Sequence, residues 1–260
     1  MKYHAPLHIF LGIVSTLAAA SAIPVTAQAF LTDGLLAYYP FTGNANDASG
    51  NGYNGAVNQA TLTQDRFGVA GMAYAFNGSD SSISVTIPTL PVGAAARTVS
   101  LWAEAQPNPS HGANLFFYGS NQLNDGFGLL NNGSPLTWDA QAWGNDVSSG
   151  VGVDAQWHHL AVVYSGTALS IFIDGVQKAT GDRALNTPFS AFTLGADLEA
   201  GGSATPFQGV IDDVSIYDRA LSPTEISQLA SAAPVPEPSA YAVISGLALL
   251  GFAGWVRRSR

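Results

Sequence analysis

Along the middle of the chain, apolar and polar residues alternate with a period of two. Ser82–Ile87 reads Ser-Ile-Ser-Val-Thr-Ile, and Thr98–Ala103 repeats the pattern. Such alternation predicts strands with one face buried. Leu35–Phe41 is a further β-rich run, and Trp157–Tyr164 with Ala168–Ile173 predicts a hairpin around Ser165-Gly166-Thr167. Asp174-Gly175 predicts a tight turn before Val176. In the late strand Val210–Tyr217, period two places Val210, Asp212, Val214 and Ile216 on one face. Helical signal is confined to Ser222–Ile226, with Ser222 as N-cap, Pro223 at N1 and Glu225 at N3. Short strands punctuated by turns at this spacing predict an all-β, two-sheet antiparallel sandwich.

The two ends break this pattern. Lys2 and His4 precede an apolar stretch, Leu7–Ala20, and two small-residue sites, Ala20-Ser21-Ala22 and Ala27-Gln28-Ala29. That order predicts a secretory signal peptide over residues 1–29, with cleavage after Ala22 as the alternative. Residues 30–232 form the domain and residues 233–260 a tail. In the tail a Pro-rich break is followed by an apolar span, residues 240–256, and a basic end, residues 257–260. The span is long enough for a transmembrane helix, and its arginines place the C-terminus in the cytoplasm and the bulk of the protein outside. Val235-Pro236-Glu237-Pro238-Ser239, the span and the Arg-rich end together resemble the PEP-CTERM sorting signal. The resemblance implies Pro236, Glu237 and Pro238 as the sorting motif and an exosortase-type membrane transpeptidase as partner. It further implies passage through the inner membrane and a destination at the cell surface or in an exopolysaccharide matrix. An ordinary tail anchor is the alternative.

Composition narrows the chemistry. The chain has 260 residues, no cysteine and a formal charge of −9, so neither disulfides nor thiol chemistry contribute. Outside the terminal segments only Arg66, Arg97, Lys178, Arg183 and Arg219 are basic. They form no stripe, which excludes nucleic-acid binding. The acidic surplus leaves carboxylates available to a hard cation.

Several segments in order resemble the laminin G-like, concanavalin A-like jelly-roll family. They are Leu36–Phe41 leading into Gly43–Gly52, Ala75-Phe76-Asn77-Gly78, Val99–Trp102, Trp157–Val162 leading to Ile171–Gly175, and Gly209–Ser222. The resemblance implies a jelly roll whose first and last strands are neighbours. It also implies a structural Ca²⁺ where the Asn44–Gly55 loop meets the late strand, held by Asn44, Asp47 and Asp212 with carbonyls near Gly43 and Asn51. Oxygen-rich side chains in a Gly-rich loop suit that ion. The alternative is that Asp47 makes local turn bonds and Asp212 meets backbone amides.

Trp138 and Trp143 lie in Leu136–Asp146, a segment rich in Asp, Asn and Gly. Rings that stack on sugar faces, with Asn145 and Asp146 as hydrogen-bonding partners, would form a glycan site; the alternative is that both rings fill the core. Trp102 and Trp157 read as packing residues within regular strands. His158 and His159 are neighbours on one strand and face opposite sides, so they do not chelate one metal. His111 sits in a loop with no evident partner. Asp212 and Asp213 are adjacent and expected to point apart. The glutamates are Glu104, Glu199, Glu225 and Glu237; Glu104 has no acidic partner two residues away, Glu225 lies in the helix cap and Glu237 in the sorting motif. No catalytic motif appears, so the reading is a non-catalytic, carbohydrate-binding or matrix protein outside the cell. A purely structural surface protein and a polysaccharide-degrading enzyme are the alternatives.

Overall fold

The computed structural model describes residues 31–106, 112–197 and 205–231. Both predicted terminal segments, the sorting motif, His111 and Glu199 lie outside the described residues. In chain order the strands are β1 (Leu35–Tyr39), β2 (Ala56–Asn58), β3 (Thr61–Gln64), β4 (Ala70–Asn77), β5 (Ser82–Val85), β6 (Arg97–Ala105), β7 (Ala113–Gly119), β8 (Gly126–Asn132), β9 (Thr137–Gln141), β10 (Val147–Gly152), β11 (Trp157–Tyr164), β12 (Ala168–Ile173), β13 (Val176–Asp182), β14 (Phe192–Leu194), β15 (Thr205–Pro206) and β16 (Gln208–Tyr217). One helix, α1 (Pro223–Ala230), follows.

The strands make two sheets. The first runs β13-β12-β11-β6-β16-β4-β3, with β1 also paired to β16; the second runs β10-β9-β8-β7-β14-β5-β2. The ladders between these strands are antiparallel except where β15 lies parallel to β7, and a single parallel bridge joins Gln59 to Ser82. The β1–β16 ladder joins the first and last strands, as the jelly-roll resemblance implied. Leu101, Leu160, Val162, Ile171 and Ile211 of the first sheet and Phe127, Leu129, Trp138, Ala140 and Phe192 of the second belong to one buried cluster. That cluster is the core a two-layer domain requires.

Local chemistry accounts for the connections. Asp174 and Gly175 both adopt positive φ, 53° and 77°, the conformation of the two-residue turn that matches strand twist. The α1 N-terminus is a full capping box, with Ser222 Oγ accepting from Glu225 N and the Glu225 carboxylate accepting from Ser222 N. The helix buries Ile226, and together with Leu221 it joins Ala161, Val163, Phe172 and Tyr217 in a small cluster on the outer face of the first sheet.

Two expectations fail in the first sheet. The ladder between β16 and β6 shifts register between Asp212 and Ser215, where Asp213 takes φ 48°. This bulge puts Ile211, Val214 and Ile216 into the core and turns Asp212 outward beside its partner Trp102. Val210, Asp212, Val214 and Ile216 therefore do not share a face. Trp102 and Trp157 are likewise not core residues: each is half-buried, and Trp102 stands on the outer face, in register with Asp212 and His159.

Candidate functional site

The bulge in β16 builds a polar cluster. Arg66 Nη1 donates to Asp212 Oδ2 at 2.9 Å and to Asp213 Oδ2 at 2.7 Å. The guanidinium is stacked between Phe67 and Trp102, 4.5 and 4.6 Å from their ring centres. Tyr38 donates its hydroxyl to Asp213 Oδ1 at 2.6 Å. A regular strand would have sent the two carboxylates to opposite faces; the bulge brings both to one arginine, against the expectation that they point apart. Burial, followed by the charge of Asp213, raises the pKa of Asp212, while Arg66 opposes that shift. Arg66 was missed in the sequence because its partners lie 146 and 147 residues away. The available signal was two adjacent acids in an apolar strand, which need a cation.

Asn44, Asp47 and Asp212 take separate partners. Asp47 Oδ1 accepts from Tyr38 N and Ser49 N, and Oδ2 from Ser49 Oγ and Tyr53 N. Those donors use the lone-pair positions of the carboxylate. Burial pushes the Asp47 pKa up, but these hydrogen bonds outweigh it and leave the group more acidic than usual. Asn44 is exposed and its Oδ1 caps Asn46 N. Leu36 O already accepts from Ser49 Oγ and Asn51 Nδ2. The residues present do not fit a calcium ion: N–H and O–H donors stand where a cation would at Asp47, and Asp212 already pairs with Arg66. Among the described residues no group of three His, Cys, Asp or Glu side chains is placed to hold a metal.

The two tryptophans of the expected glycan site part company. Trp138 is fully buried in the core, which removes it from any ligand surface. Trp143 is half-buried in the β9–β10 connection, at φ 45°, a strained backbone position for a bulky residue. Its ring meets buried Phe117 edge-on at 6.1 Å. Trp143 O accepts from Asn124 N at 3.2 Å, and Asn145 Nδ2 donates to Asn124 Oδ1 at 3.0 Å. Arg183 holds the loop from beneath, with Nε donating to Asn145 O at 2.5 Å and Nη2 to Asp146 O at 3.0 Å. Asp146 closes the loop by accepting from Ala142 N at 2.9 Å, and burial raises its pKa despite that bond. Leu123, 66% exposed, lies beside Gly144. The loop thus presents a fixed aromatic ring, an apolar neighbour and two side-chain amides. Phe117, Asn124 and Arg183 were not legible in the sequence as members of this group.

The histidines face apart, as expected. His158 lies between Asp174, 2.9 Å from Nδ1, and Asp154, 3.0 Å from Nε2. Burial lowers its pKa, but these carboxylates outweigh burial and raise it. His159 is buried, meets Trp102 edge-on at 5.6 Å and hydrogen-bonds Ser100 Oγ through Nε2 at 2.8 Å. Burial, with Arg66 adding, lowers its pKa to about 3.

The laminin G sequence profile described as the concanavalin A-like lectin/glucanases superfamily matches residues 77–227, more than half of the chain. The chain belongs to the concanavalin A-like lectin/glucanases superfamily. It is similar to human Pentraxin-4, with 30% identity over 109 residues, 38% of this chain and 23% of that protein. The chain therefore matches less than a quarter of that relative's length. Among solved structures it resembles domain 4 of AbnA, a GH43 extracellular arabinanase from Geobacillus stearothermophilus, in complex with arabinotriose. That likeness has a TM-score of 0.60 and 23% identity, and covers 76% of this chain and 98% of that one. It also resembles the binding domain of Paraclostridial Mosquitocidal Protein 1, with a TM-score of 0.61 and 18% identity, over 77% of this chain and 52% of that one. At these identities the structural likenesses show a shared fold and nothing more. Among the described residues no helix is long and apolar enough to cross a membrane.

Proposed function

We propose that this domain is a non-catalytic saccharide-binding module of an exported protein, and that the sugar stacks on Trp143. One observation carries the reading: a half-exposed tryptophan is kept in a strained left-handed conformation and clamped by Phe117, Asn124 and Arg183. A ring immobilised before binding costs little to order when the ligand arrives. Asn124 and Asn145 supply amides at its side, and Leu123 extends the apolar surface. The arabinotriose complex of the AbnA domain, a similar fold, supports this ligand class. The most crowded acidic pair, Asp212 and Asp213, is bridged by Arg66 and so provides no free acid–base couple. The apolar and basic ends of the chain support export, exosortase-type processing at Pro236–Pro238 and retention near exopolysaccharide.

A glycan array followed by titration calorimetry tests the reading. Trp143→Ala is expected to weaken the best glycan at least tenfold, about 1.4 kcal/mol, with the fold unchanged. Binding that survives Trp143→Ala would move the site elsewhere, and absence of binding to any glycan would leave the purely structural role.

A further inference from the structure

We infer that the saccharide bound at the Trp143 loop is uncharged and carries a methyl or acetyl group that packs on Leu123; this rests on the saccharide reading and narrows its ligand class. The loop has one cation, Arg183, engaged from beneath. Its Nε donates to Asn145 O, Nη2 to Asp146 O and Nη1 to Asp182 O, so each guanidinium nitrogen already serves a main-chain carbonyl. Carboxylate and sulfate groups are recognised by charged donors of this kind, and this one is committed to shaping the loop. Acids adjoin the loop along the chain: Asp125 follows Asn124, Asp146 follows Asn145 and Asp182 precedes Arg183. Lys178, near the start of β13, lies roughly 16 Å along the strand from Arg183, too far to assist. At a net charge of −9 the rest of the chain adds to the repulsion of an anion.

The polar groups at the ring fit hydroxyls. The bond between the two amides uses Asn145 Nδ2 and Asn124 Oδ1, which leaves Asn124 Nδ2 as a donor and Asn145 Oδ1 as an acceptor. A hydroxyl both donates and accepts and so answers both. A carboxylate only accepts, and would set its oxygens against that of Asn145. Leu123 adds the second requirement. It is the most exposed large apolar side chain among the described residues, 66%, and stands beside Gly144, the residue after Trp143. Leucine offers a sugar hydroxyl no partner, so a hydroxyl placed against it loses water without compensation. A methyl group there, from a 6-deoxy sugar or an O-acetyl ester, gains about fourfold in affinity through the apolar area it covers.

Titration calorimetry of the full chain in mild detergent tests this with sugars that differ at one carbon. In whichever of the gluco and galacto series binds, the 6-deoxy glycoside is expected to bind about fourfold tighter than the parent hexoside, and the hexuronoside at least about tenfold weaker. Leu123→Lys puts a cation where the methyl group packs. It is expected to abolish the 6-deoxy preference and to raise hexuronoside affinity at least about tenfold, a gain that high salt suppresses. Leu123 is exposed, so its replacement leaves the fold intact. Binding that needs Trp143 yet favours the hexuronoside, or that ignores Leu123→Lys, would overturn this inference and leave the saccharide reading standing. Binding that survives Trp143→Ala, or no binding of any of these sugars, would overturn the saccharide reading and this inference with it.

Discussion

The Arg66 cluster and the Trp143 loop contain nearly the same ingredients, and only one of them is open. Each sets a tryptophan beside an arginine, carboxylates and a second aromatic ring. In the cluster the groups are spent on one another: Arg66 bridges Asp212 and Asp213, Trp102 and Phe67 cover the guanidinium, and Tyr38 takes a remaining oxygen. In the loop the arginine binds main-chain carbonyls instead, and the ring of Trp143 stays half-exposed beside the Asn124 and Asn145 amides, which hydrogen-bond each other. Residue types that suit sugar binding do not make a site; what separates the two regions is whether the fold has already satisfied them.

The largest effect should come from breaking the closed region. Arg66→Ala leaves two carboxylates without their cation and is expected to cost about 3–5 kcal/mol in denaturant unfolding. Adding Asp212→Asn and Asp213→Asn to that variant should recover part of the loss, and no recovery would show that packing, not charge, dominates. Acid should act on the same region. His159 is held neutral with a pKa near 3, against 6.5 for a free histidine. The unfolded chain takes up a proton that the folded chain refuses, so stability is full above about pH 6.5 and falls as pH drops toward 3. His159→Phe should flatten that part of a melting-temperature profile.

The open region should respond in binding, not in stability. Trp143→Gly is expected to change stability by less than about 1 kcal/mol, because relief of the left-handed backbone offsets the lost ring contact. It should still abolish saccharide binding in calorimetry; a large loss of stability would show that this tryptophan, too, is consumed by the fold. The smallest expected effect is that of calcium. Adding or chelating Ca²⁺ should leave the melting temperature unchanged, since Asp47 and Asp212 are satisfied from within the chain. A rise on calcium addition that Asp212→Ala removes would restore the ion to the Asn44 loop.

What the sequence determined by itself is local. The strands around Ser165–Thr167, the Asp174-Gly175 turn and the Ser222 cap depend on residues within a few positions of each other, and each stands where pattern and turn chemistry put it. Tertiary structure decided what each polar or aromatic side chain is for. Trp138 and Trp143 are five positions apart in similar surroundings, yet one sits in a strand facing the core and the other follows it into a loop. Period two held in β9 and stopped where the strand stopped. In β16 a single residue with positive φ reversed the face on which Asp212 lies, and its partner came from 146 residues away. Backbone periodicity is short-ranged, whereas the satisfaction of a buried charge depends on which distant segment the topology brings beside it.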